Sequence, residues 1–74
     1  MSKAKENRDI VGKNLRDVNG EMLQTLLAHS LWANEDSEHL EHAYRVRSHL
    51  RHLKRQVDDT LTALAYHIKE GGFE

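Results

Sequence analysis

Six histidines stand in a chain of 74 residues, and two pairs of them have a spacing that suits metal. His39 and His42 are three apart, as are His49 and His52; on a helix, such neighbours share a side and can share an ion. A third ligand is harder to find. Glu35 and Glu38 stand near the first pair, but the sequence holds no His-Glu-x-x-His and no Glu-x-x-His of the kind that builds di-iron bundles. No metal and no other cofactor is therefore expected, and the histidines read as boundary and surface residues. His42, His49 and His67 line one flank of an apolar stripe, where an amphipathic side chain suits a helix–helix rim.

Nucleophilic chemistry finds less support. The chain has no cysteine. Ser30, Ser37 and Ser48 have no His–acid arrangement that spacing alone assembles. Gly12 and Gly20 are isolated and Gly71-Gly72 lies at the tail, so no glycine-rich phosphate loop exists. The expectation is a protein that is not an enzyme, with no catalytic residue to name.

Charge is more informative. Between Ala43 and Val57 there is no acid, while Arg45, Arg47, Arg51, Lys54 and Arg55 gather there. Arg45, Arg51, His52 and Arg55 project away from the apolar stripe and form an exposed basic belt. Such a belt meets phosphates or an acidic protein. Acidic clusters flank it on both sides, no aromatic residue interleaves with the arginines for base stacking, and the formal net charge is only −1, so bulk charge selects no partner class.

These residues must be carried by long helices. There is no proline, and Leu, Ala, Glu, Arg and Lys are plentiful, all of which favour helix. Val11, Leu15, Val18, Met22 and Leu26 recur at three or four residues, a helical spacing. The spacing predicts a first helix that starts between Ser2 and Asn7, with Asn7 a good N-cap, and covers about 7–33, continuous through Asn19-Gly20 with a kink there, or broken into two if a turn forms. A turn follows at about 34–36, where Asn34, Asp36 and Ser37 are all good caps. A second helix then spans about 36–70. Gly71-Gly72 ends it in the place of a left-handed C-cap, leaving a frayed tail at 71–74.

The apolar residues are also a near-mirror about Asn34. Val11 answers Val57, Leu15 answers Leu53, Val18 answers Leu50, and Met22 answers Val46. A helix folding back at residue 34 would stack them in layers. It would also set His29 against His39 and make that end acid-sensitive, although neighbouring Glu or backbone groups would satisfy them more simply. The fold class expected is all-α, an antiparallel helical hairpin in one small domain over 1–74.

A lone hairpin would leave much of this surface wet. Leu23, Leu27 and Leu31 lie far round the helix from Met22, with Trp32 on the other flank, so the stretch is apolar around most of its circumference. Leu64, Ala65 and Ile68 fall beyond the reach of a first helix of that length. A homodimer forming a four-helix bundle is the simplest remedy; a dedicated partner protein is the rival. With no apolar signal segment and no run of about 18 apolar residues, a soluble cytoplasmic protein without membrane partner is expected.

The architecture is similar to small helical-hairpin dimers such as the plasmid copy-number regulators, which bind RNA, and to small bacteriophage proteins that dock on host factors. The function expected is a small interaction module, a regulator or inhibitor that docks on another protein through Leu23, Leu27, Leu31 and Trp32. The alternative is an RNA- or DNA-binding dimer using Arg45, Arg51, His52 and Arg55.

Overall fold

The computed structural model describes residues 2–34 and 40–74. They form two helices, α1 (Lys3–Asn34) and α2 (Leu40–Lys69), packed along their length as an antiparallel hairpin. The expected caps Asp36 and Ser37, and His39, lie outside the described residues. Asn34 is the last residue of α1. Among the described residues, no helix is long and apolar enough to cross a membrane.

α1 begins ahead of Asn7. The Lys5 N–H donates to Ser2 Oγ at 3.1 Å, and the Glu6 N–H donates to the Ser2 carbonyl, so Ser2 is the N-cap that satisfies otherwise unpaired donors. Asn7 sits inside the helix and is buried. Its Nδ2 donates to the Gly72 carbonyl at 3.0 Å, tying the start of α1 to the end of α2. A first helix that reaches back to Lys3 gives the end of α2 a neighbour there. α1 also runs without interruption through Asn19-Gly20, because one helical glycine costs only about 1 kcal/mol relative to alanine.

α2 closes as its glycines require. Gly71 has φ +68°, a left-handed conformation that costs a residue with a Cβ. The Gly72 N–H reaches back to the His67 carbonyl at 2.7 Å and the Gly71 N–H to Ile68 at 3.2 Å. This pair of bonds is the Schellman motif. Phe73 then folds back, its ring edge-on to His67 at 5.9 Å.

The contact between the helices departs from the mirror at Asn34. In α1 the covered residues are Ala4, Asn7, Val11, Gly12, Asn14, Val18, Glu21, Thr25, Ala28 and Trp32; in α2 they are His42, Ala43, Val46, His49, Leu53, Gln56, Thr60, Ala63, Leu64 and His67. Apart from Gly12, Ala43 and Leu64, each of which adjoins a seam residue, both sets step by three and four in alternation, which is the a and d pattern of a heptad. Glu21 meets His49 rather than Met22 meeting Val46, and Asn14 and Asp17 adjoin Gln56, Asp59 and Thr60. The centre of the fold is therefore displaced beyond Asn34.

Five residues expected between the helices are consequently outside. Leu15 is 55% exposed and Leu50 48%, and Met22, Leu26 and Val57 are exposed as well. Among the described residues the buried hydrophobics are Ala28 and Leu53. The reason is angular. An a/d seam points between those two positions, whereas the apolar stripe runs through a, e and b, roughly 50–60° around the helix. About half of the seam is polar, and it is satisfied only in part, since Gln56 Oε1 and His67 Nδ1 are buried without a hydrogen-bond partner among the described residues. Thr25 and Thr60 each donate to the carbonyl four residues back, at 2.9 and 2.8 Å, and His49 Nδ1 lies 2.8 Å from Glu21 Oε1.

Candidate interaction surfaces

An antiparallel heptad hairpin has two sides. Positions e and b of both helices lie on one, positions g and c on the other, and f points straight away from the seam. The structure fixes this directly: Asp17 and Asp59, both at g, line one shallow depression with Asn14, Gln56 and Thr60. The depression is about 170 Å³, below the ~300–1,000 Å³ of small-molecule sites.

One and two heptads along from Asp17 stand Gln24 and Leu31. One and two heptads back from Asp59 stand His52 and Arg45. Leu31, Arg45 and His52 therefore share this side. Leu27 and Arg55, at c, border it, and Leu23 and Arg51, at f, form its outer edges. Two groups picked out separately by composition and by charge thus share one side of the hairpin, with Arg45 the basic residue level with the leucines. Leu23, Leu27 and Leu31 are 56%, 53% and 43% exposed and form a continuous ridge at four-residue steps. Arg45, Arg51, His52 and Arg55 are all exposed.

Trp32 is placed differently. It lies at the a position beside Leu31, half-buried in the seam, with the His29 ring edge-on at 6.1 Å. The open ridge is made by the three leucines, and Trp32 stands at its root. The basic stretch also divides. Arg47 and Lys54 take b positions on the opposite side, where the Arg47 guanidinium lies over the Tyr44 ring, 4.7 Å from its centroid.

That opposite side is the surface the mirror pattern hid. Leu15, Met22 and Leu26 of α1 stand there with Leu50, Val57 and Leu61 of α2, and Leu40 and Ile68 extend it towards the ends. Sequence spacing found these residues but assigned most of them to the space between the helices. The polar a/d heptad of Asn7, Asn14 and Glu21 against His49, Gln56 and His67 was the signal that could have separated the two faces.

The histidines do not gather. His49 turns into the seam towards Glu21, while His52 is exposed on the g side. Among the described residues no group of three or more His, Asp or Glu is placed to hold a metal ion. Compared with protein-family models, curated proteins and solved structures, the chain matches none.

Proposed function

We propose that this chain is a non-enzymatic interaction module, a regulator or inhibitor that docks on another protein through the ridge of Leu23, Leu27 and Leu31. The observation that carries this reading is the juxtaposition on one face. The leucines lie exposed on α1, and Arg45 stands level with them on α2, while His52 and Arg55 continue the same side further towards the open end of the hairpin. The occupant that fits is an amphipathic helix with an acidic flank. Its apolar side would cover the leucines at i, i+4, i+8 spacing, and its carboxylates would meet the arginines, which steer encounter more than they add affinity. Trp32, the one tryptophan of the chain, adjoins Leu31 and reports occupancy by its fluorescence.

The test is affinity capture from nuclease-treated lysate, followed by titration of the recovered protein against Trp32 emission. Leu27→Glu and Leu31→Glu each place a charge in the expected contact and should weaken binding about tenfold or more. A recovered protein that binds both variants as tightly as the unaltered chain defeats the proposal.

A second reading rests on the exposure of Arg45, Arg51, His52 and Arg55 along one edge. They would contact RNA or DNA phosphates. Binding of that kind falls steeply with salt and should be lost on Arg51→Glu with Arg55→Glu while surviving Leu27→Glu. The exposed leucines of the same face offer an apolar contact that a phosphate backbone would leave unused, which is why the protein partner is preferred.

A further inference from the structure

We infer that the apolar e/b side of the hairpin is covered by a second copy of the same chain, so that two hairpins stack face to face as a four-helix bundle. The inference is independent of the ridge, which lies on the other side and remains open in the stack.

Shape is the first argument. The hairpin measures 52 × 18 × 10 Å across its Cα atoms, a slab one helix thick. Stable domains place at least two layers about a core, because each element has one apolar side to bury. Here the second layer is missing, and Leu15, Met22, Leu26, Leu50, Val57 and Leu61 face outward on the side where it belongs.

Area gives the second argument and its scale. A folded monomer of 8.6 kDa has about 4,700 Å² of accessible surface by the usual scaling with mass. This chain has 5999 Å², an excess of about 1,300 Å² over that scaling. Obligate homodimers bury about 1,000–2,500 Å² on each partner. One face-to-face contact removes the excess.

The third argument selects the occupant. With Ala28 and Leu53 as the buried hydrophobics among the described residues, the polar seam contributes little against the entropy of ordering two long helices. The covering layer must therefore be present whenever the chain folds, and a second copy always is. The face is also self-complementary. Position e is apolar throughout α2, with Ala43, Leu50, Val57 and Leu64, and Leu15 and Met22 occupy it in α1, so a two-fold axis returns apolar surface onto apolar surface from both helices. Lys5, Arg8, Arg47 and Lys54, the charged residues at e and b, have long stems that can lie along the interface edge with their charges in water.

Sedimentation equilibrium across a range of concentrations tests this, with circular dichroism on the same samples. The unaltered chain should sediment at twice 8.6 kDa, and its thermal midpoint should rise with concentration. Met22→Glu with Leu50→Glu should shift it to monomer with loss of helicity, whereas Leu27→Glu should leave it dimeric. An unaltered chain that is monomeric and fully helical at all concentrations overturns the inference. So does a dimer that tolerates Met22→Glu with Leu50→Glu. If Leu27→Glu breaks the dimer instead, the ridge is the self-contact and the docking proposal falls with it; in the other two failures the ridge remains available and capture decides it.

Discussion

Asn7 and Gly72 meet at the open end of the hairpin because each leaves room for the other. A Cβ on Gly72 would stand 2.6 Å from Asn7 Nδ2, closer than atoms pack, and 3.2 Å from the His67 carbonyl oxygen, a tight contact. Gly72→Ala must therefore displace the buried amide and break its bond to the Gly72 carbonyl. The expected cost is about 1–3 kcal/mol, the range for overpacking a well-filled site, read as a lower urea midpoint. With Asn7→Ala already in place the same change should cost less, because the amide it would strike is gone. Costs that simply add would show that close approach is not the reason for glycine here. The Glu21–His49 pair is the other polar fixture of the seam. Its bond satisfies two half-buried groups where two apolar residues would pack without preference for partner, and so it helps define which positions face each other.

At the scale of elements, each helix carries two messages in one sequence. The a/d heptad chooses the neighbour within the chain, and the apolar stripe offset from it points to a neighbour outside. α1 is uninterrupted at Gly20 because both patterns continue through it. A Cβ at Gly20 meets nothing within 4 Å, and the residue occupies a c position, away from the apolar face. Gly20→Ala should therefore stabilise the protein by about 1 kcal/mol, the difference in helix propensity and backbone entropy, without changing the oligomeric state. Thermal unfolding checks this; an unchanged or lower midpoint would mean that the helix uses a bend there.

For the molecule as a whole, length is set by the helices and thickness by their arrangement. A radius of gyration of 16.7 Å exceeds the about 11 Å of a compact domain with this number of residues, as a single layer should. Stacking a second layer on the apolar face leaves the long dimension near 52 Å and adds about 10 Å of thickness, one helix spacing. Small-angle scattering of the dimer should show that length with a thickened cross-section. A particle close to twice as long would place the self-contact at the ends and not on the e/b side.

Much of this was legible before any coordinates. Unbroken helical periodicity, the absence of proline and the terminal glycines determine two long helices with a left-handed stop, and the doubled stripe determines that they fold back and leave apolar surface uncovered. Local preferences act within a turn or two, so they are written in consecutive residues. The pairing of Glu21 with His49, the tie from Asn7 to Gly72 and the half-burial of Trp32 were not legible in the same way. An apolar stripe records the direction in which a helix is dry, averaged over all its neighbours, and does not say which neighbour lies where along that arc. Only the packed hairpin separates the a/d contact from the e/b face. It does so because side chains on two rigid cylinders can interdigitate in one rotation and one register at a time.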